Sequence, residues 1–309
     1  MTGWATAQEV LGLWLDTEDM TVGLPQRKLE ELRQRLAEWP PERKEATVRE
    51  VLSLAGKLHH AAYVVRPGRY FVHRLLRLAN LHLTGEESRG GGDAWGRLRR
   101  KAEAERRLDL TPEFMADVGW WRWFVNQERP EAGERLTAPF FRFVRQEPSR
   151  HWFSDASYQA VGGYCLETGW WWRYELTEEE RGRTVRSKAR MGYDSLSINV
   201  LELFGMVWTA YVMIVIRKDL PDRVGEAVLM RGDNSSVVQW ATNCKGGKDD
   251  VRAGGLMRIL GALEVRGKWC FQAKHVAGVD NSLADLITRC EHSRVNAELA
   301  DVDWCEQEM

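Results

Sequence analysis

The stretch His151-Trp-Phe-Ser-Asp155-Ala-Ser157 decides how the second half of this chain is read. It is an apolar run closing on a polar, turn-forming end, as a strand does when it leaves a core. Two more aromatic-rich runs follow, Tyr158 to Glu167 and Gly169-Trp-Trp-Trp-Arg-Tyr-Glu-Leu176, divided by Glu-Thr-Gly, a turn signal. Three strands at this spacing predict an antiparallel meander with Asp155 on the first. Side-chain alternation puts at least one of Trp170, Trp171 and Trp172 on the outer face. Docking onto the connector or the helical first half of the chain is the expected use of that ring, ahead of base stacking.

Downstream, Ser197-Ile-Asn-Val-Leu-Glu202 opens a run to Ile216 that is apolar nearly all round. That pattern predicts a buried helix capped by Ser197. Its length and the early Glu202 argue against a membrane span. A carboxylate in such a helix must pair, protonate or bind metal, because an unpaired buried charge is too costly. Ala227-Val-Leu-Met-Arg-Gly-Asp233 predicts a strand, and Asn234-Ser235 starts a helix through Trp240. Carboxylates at strand ends are where open α/β sheets place ligand chemistry. Lys268 to His275 predicts another strand, Val276 to Asn281 a polar loop, and Ser282 to Arg289 a short helix with Asp285 in its first turn.

Taken singly, each polar residue has a plain structural use. Asp155 could form a turn, Asn234 cap a helix and Asp285 complement a helix dipole. Glu202 could pair with a cation from the 181–190 run, and His275 could be a satisfied strand-end histidine. Their order along one chain favours a shared purpose. Hard divalent cations take oxygen ligands, and phosphodiester hydrolysis with two such ions needs several carboxylates around one point.

Ser154-Asp155-Ala156-Ser157, Leu201-Glu202-Leu203, Gly232-Asp233-Asn234-Ser235 and His275-Val-Ala-Gly-Val-Asp-Asn-Ser-Leu-Ala-Asp285-Leu-Ile-Thr-Arg289 resemble the four blocks of retroelement ribonuclease H domains. The last is similar to the HxxGxxNxxAD segment of gypsy- and DIRS-like retrotransposon polyproteins. The resemblance implies an α/β, ribonuclease H-like fold, a mixed five-stranded sheet flanked by helices. It also implies hydrolysis of the RNA strand of an RNA–DNA hybrid with two Mg²⁺ ions, or Mn²⁺ in their place. Asp155 would bridge the two ions, Glu202 and Asp233 would complete one shell and Asp285 the other. His275, on a mobile loop, would assist proton movement or product release. Asn199, Asn234 and Ser235 are the candidates for reading the RNA 2′-OH groups.

Two departures qualify the resemblance. Some hybrid-cleaving relatives carry a basic helical protrusion where this chain has only Thr242 to Arg252, short and of mixed charge. The exonuclease relatives carry Asp-x-Glu on the first strand, whereas this chain has Asp155-Ala156-Ser157. Two other functions fit the same residues: an idle remnant that binds nucleic acid without cutting it, and DNA strand transfer on the same fold. The intact five-residue site disfavours the first, and the Asn281-x-x-Ala-Asp285 context disfavours the second.

The first half reads as mainly helical. Gly12 to Pro25 predicts a two-stranded hairpin, and Gln26–Trp39, Arg43–Val65 and Tyr70–Leu83 have helical spacing. The hairpin with Leu24-Pro25-x-x-Lys28 is similar to the palm exit and thumb of retroelement reverse transcriptases. The polymerase motif itself is not upstream, and Asp249-Asp250 lies in a polar loop and does not replace it. The resemblance therefore makes the chain a C-terminal piece, with the palm and fingers of a polymerase as expected partner. Lys57, Arg66, Arg69 and Arg74 belong to a basic stretch that could track phosphates or form a solvated helix face. The expected divisions are 1–84 (hairpin and thumb-like helices), 85–149 (a flexible Gly-rich, charged insertion, a helix opened by Thr111-Pro112, and a connector), 150–291 (the nuclease-like domain) and 292–309 (a frayed polar tail).

At 309 residues the chain can bury two cores, and a net charge of −1 confines nucleic-acid contact to local patches. Five cysteines without CxxC spacing fit a reducing interior, and exclude a zinc knuckle or disulfide framework. No signal peptide is visible, so the expectation is a soluble intracellular chain.

Overall fold

The computed structural model describes residues 5–81, 104–127, 136–143, 147–185, 196–246, 251–290, 293–295, 299 and 305–306. The chain divides into two units, Met1–Phe143 and Val144–Met309.

The first unit runs β1 (Ala7–Val10), β2 (Leu13–Asp16), β3 (Thr21–Gly23), α1 (Gln26–Ala37), β4 (Glu45–Thr47), α2 (Val48–Ala61), α3 (His73–Leu81), β5 (Arg107–Asp109), α4 (Pro112–Gln127) and β6 (Thr137–Pro139). The expected two-stranded hairpin is β2–β3 within a four-stranded antiparallel sheet, in the order β1-β2-β3-β6. All four of its strands are only three or four residues long, too short to show an alternation pattern. The second helix starts later than Arg43. Thr47 caps it and Glu50 reaches back to Thr47 N, a capping box legible as Thr-x-x-Glu. Residues 45–47 form a strand instead and pair with 107–109, which lie in the stretch expected to be a flexible, charged insertion. Residues 85–103 of the expected insertion lie outside the described residues.

The start signal at Thr111 is borne out, because its Oγ1 accepts the Phe114 N–H at 3.2 Å. The tryptophans of α4 serve mainly for packing: Trp121 is fully buried, and Trp120 stacks on Phe71 at 4.0 Å.

The second unit contains β7 (Arg150–Ala156), β8 (Ala160–Cys165), β9 (Trp170–Glu175), α5 (Glu178–Arg183), β10 (Thr184–Val185), β11 (Leu196–Ser197), α6 (Ile198–Tyr211), β12 (Ala227–Gly232), α7 (Ser235–Asn243), α8 (Val251–Gly267), β13 (Cys270–His275), α9 (Ser282–Arg289) and β14 (Cys305–Glu306). Its mixed sheet has the order β13-β12-β7-β8-β9-β14. The meander β7–β8–β9 is antiparallel as expected, and β12 and β13 continue parallel to β7. Five strands were expected and six are present. The sixth, Cys305–Glu306, pairs with Trp170 and Trp171. Val295 and Leu299 join the cluster around Phe153, Tyr164 and Trp171, so the tail expected to be frayed is anchored at these described positions. Two apolar residues among many polar ones gave too weak a pattern to show this.

Two helices cover opposite faces of the meander. On one, Phe153, Tyr164 and Trp171 stand in a cross-strand row under Ala284 and Ile287 of α9. On the other, Val161 and Trp172 pack against Leu201 of α6. Close approach of α6 depends on two glycines. A Cβ on Gly205 would stand 3.0 Å from Val161 Cγ1, and one on Gly163 only 2.2 Å from Thr209 Oγ1. Thr209 in turn accepts the Trp172 indole N–H at 3.0 Å.

Helix α6, continued by a π turn over Val212–Ile216, is long and apolar enough to cross a membrane, and 67% of that span is buried inside the unit. Burial of this kind contributes about 1.5–3 kcal/mol per large apolar side chain, so the sheet accounts for the helix's composition. Trp171 and Trp172 are buried, while Trp170 lies under Arg217, whose guanidinium carbon is 3.3 Å from its ring centroid. Trp170 thus finds its partner within its own unit.

Candidate metal centre

Three mutually parallel strands bring their carboxyl ends to one edge of the sheet. In β7 and β12 the register sets Phe153 beside Arg231, so Asp155 and Asp233, two residues on, fall side by side. In β13 His275 pairs with Gly232 and closes the row. Asp155 shares the α9 face with Phe153, because side chains two apart point the same way. Glu202 comes from α6 on the opposite face. It reaches around the strand terminus, where the Ala156 N–H donates to it.

One oxygen each from Asp155, Glu202 and Asp233 lies within 4.8 Å of the others. Asp155 is 1% exposed and Glu202 7%, while Asp233 is half-buried. Burial raises the Asp155 carboxyl above the usual carboxylate range, the Thr288 hydroxyl opposes this, and the charges of Asp233 and Asp285 add to it. Burial, then Asp155 and Asp233, push Glu202 well above its ordinary value. Three crowded carboxylates in a dry site hold together only with protons or a cation between them. The donor set is all oxygen, which suits a hard divalent ion and not a thiolate-seeking one. The site can therefore hold a metal ion.

Asp285 stands outside the closed group. Its Oδ1 accepts Arg289 Nε at 2.7 Å across one turn of α9, and the pair is substantially solvent-exposed. Among the described residues Arg289 is the cation whose field reaches Glu202; residues 186–190 of the 181–190 run lie outside them. His275 is exposed, and its Nε2 is 2.9 Å from the Asp233 carbonyl. A carbonyl only accepts, so Nε2 carries the proton in the neutral ring and Nδ1 keeps a lone pair. The loop after His275 folds over the same edge. A methyl on Gly278 would stand 3.4 Å from Asp233 Oδ2, and Val279 is 85% exposed at the tip.

Residues to which the sequence assigned no structural task hold this edge in place. Thr288 Oγ1 donates to Asp155 Oδ2 at 2.5 Å, and Ser157 Oγ donates to the Thr288 carbonyl at 2.9 Å. Arg173 donates to the Ile287 and Cys290 carbonyls, a cation at the carboxyl end of α9. Asn281, 1% exposed, donates through Nδ2 to the Ser154 carbonyl at 3.4 Å, and its own carbonyl receives the Asp285 N–H. Thr288 was within reach of sequence reasoning: a buried Asp155 needs a donor, and Thr288 lies three residues beyond Asp285.

The candidate contact residues are partly committed elsewhere. Asn234 caps α7, accepting from Ser236 N and Val237 N, and its Nδ2 donates to Asn199 Oδ1 at 2.8 Å. Ser235 is exposed beside it. In the first unit, Lys57 is exposed with Glu31 at 3.7 Å, and Arg69 is exposed over the Tyr63 ring. Arg66 is half-buried. Arg74 is half-buried, with Nε 3.5 Å from Asp117 Oδ2. Asp249 and Asp250 lie outside the described residues.

No family model matches this sequence, and no curated protein does. Among solved structures, the chain is similar to foamy viral protease-reverse transcriptase. The match to the structure in complex with RNA/DNA hybrid has 12% identity and a TM-score of 0.26, covering 87% of this chain and 29% of that one. A dRH form with ds DNA gives 10% identity and 0.26, covering 87% and 38%. A further dsDNA complex gives 11% and 0.25, covering 87% and 45%. The chain spans less than half the length of each of these three structures.

Proposed function

We propose that the second unit is a ribonuclease H-like nuclease that hydrolyses the RNA strand of RNA–DNA hybrids with divalent cations, Mg²⁺ or Mn²⁺. The observation that carries the reading is the convergence of Asp155, Glu202 and Asp233 to within 4.8 Å at the open edge of a mixed sheet. Three elements far apart in sequence would not bring buried carboxylates together without a compensating positive charge. When bound, such cations activate a water and offset charge on the leaving 3′ oxygen.

The chain's own residues have separable tasks in this reading. Asp155, Glu202 and Asp233 hold the first cation, and Asp285 supplies a ligand toward the second. Thr288 keeps Asp155 oriented and favours its ionised form. His275 takes a proton on Nδ1 while its Nε2 bond to Asp233 O fixes the ring. Ser235 and Asn199 sit at the rim for contact with 2′-OH groups, with Asn234 setting the orientation of Asn199. Lys57, Arg66 and Arg69 of the first unit are proposed phosphate contacts. In this reading the chain works beside a reverse-transcriptase palm and fingers, with its first unit as the thumb.

The test is incubation of the purified chain with an RNA–DNA hybrid labelled on the RNA strand, with Mg²⁺, beside Asp155→Asn and Asp233→Asn. Cleavage lost in both variants, with hybrid binding retained, is the expected result. Hybrid binding without cleavage by the native chain would refute the nuclease and leave a nucleic-acid-binding remnant.

A further inference from the structure

Asp285 is an acidic residue of this edge that the triad does not enclose, and among the described residues its close side-chain partner sits on its own helix. Arg289 Nε lies 2.7 Å from Asp285 Oδ1, in the i,i+4 arrangement with the acid on the amino-terminal side. The rest of α9 is fixed, with Thr288 bonded to Asp155 and Arg173 bonded to the helix's last carbonyls. The Arg289 stem therefore leaves the helix next to an anchored residue, and its head has a limited range beside the carboxylates. We infer that Arg289 is an internal competitor for the second divalent cation, holding the Asp285 carboxylate that the cation must take over.

This rests on the proposed metal centre and goes beyond it, by making the two cation positions unequal for a stated reason. Among the described residues no basic side chain pairs with the triad at comparable distance, so there a first cation competes mainly with protons. A second cation must displace a guanidinium from Asp285. Arg289's positive charge acts on Asp155 and Glu202 as well, which gives the same side chain a smaller effect on the first position. The ion pair is solvent-exposed at 59% for Arg289 and 42% for Asp285, so its strength is that of a surface pair. Losing it is expected to tighten the weaker cation class by roughly two- to fivefold, and high salt should shrink the difference.

The experiment is a Mn²⁺ titration of the full chain without substrate, followed by the electron paramagnetic resonance signal of free Mn²⁺ and by calorimetry. It compares the native chain, Arg289→Gln, Arg289→Lys, Asp285→Asn and the Asp285→Asn/Arg289→Gln double variant. The expected result is a tighter weak class in Arg289→Gln, a tight class changed less, and near-native binding in Arg289→Lys. In the Asp285→Asn background, adding Arg289→Gln should change nothing further at the weak class. Native-like weak binding in Arg289→Gln, or equal tightening of both classes, would overturn the competition. Absence of Mn²⁺ binding in every protein would instead remove the metal centre itself.

Discussion

Replacing Thr288 with valine tests whether the buried edge is built around Asp155 in the way described. Valine keeps the shape and removes one hydroxyl, so no cavity accompanies the change. That hydroxyl donates to Asp155 Oδ2 at 2.5 Å, between two side chains that are 0% and 1% exposed. It also lies 3.3 Å from the Asp285 carbonyl, but one proton serves one acceptor and the shorter bond takes it. A hydrogen bond to a charged group is worth about 1.5–3 kcal/mol. Here it acts selectively on the ionised form, opposing the burial that raises the Asp155 carboxyl. The ionised form is the one that binds a cation, so the variant should bind Mg²⁺ about one to two decades more weakly near neutral pH. Protons are the competitor, so the deficit should shrink as pH rises. The assay is calorimetric Mg²⁺ titration across a pH series, with the melting temperature in EDTA as a check on folding. Native-like affinity at every pH, in a folded variant, would refute the role given to Thr288.

Further expectations concern stability. In EDTA the second unit should lose stability as pH rises above the ordinary carboxylate range. Asp155 and Glu202 are both raised in the folded state, so folding holds protons that the unfolded chain has released. Added Mg²⁺ should reverse the trend, and thermal melts at pH 5 and pH 8 with and without the ion measure it. In the first unit, burial pushes Asp117 up to about 7 against the opposing charge of Arg74. Its contribution is full below the unfolded value near 4 and disappears as pH climbs to about 7, a span of up to about 4 kcal/mol. Asp117→Asn should flatten that part of a urea-denaturation series; an unchanged slope would count against it. Gly163→Ala should cost about 3 kcal/mol, because its methyl would meet the Phe153 carbonyl at 2.6 Å as well as Thr209. A melting temperature within a degree of native would show that the strand can shift.

The second unit was far more legible than the first. Ser197 as a cap, a buried helix around Glu202, the strand before Asp233 and the short helix bearing Asp285 all appear where periodicity and capping signals put them. Asn234 takes the capping role foreseen for it while sitting next to Asp233. Long-range pairing was not legible. Residues 45–47 and 107–109 are strands only because each has the other, and Cys305–Glu306 is one only because β9 offers a free edge. Local composition carries no record of such partners.

The origins of Asp155, Glu202 and Asp233 bear on how the chain folds. One belongs to the first strand of the meander, one to the helix that crosses behind it and one to the parallel strand that joins afterwards. A partly assembled sheet would lack at least one ligand and would be almost blind to the ion. Divalent cations should then leave the refolding rate nearly unchanged and slow unfolding, since the contact they reward forms late. The ion would act as a latch that closes on a finished sheet, extending the lifetime of the native state without guiding the route to it.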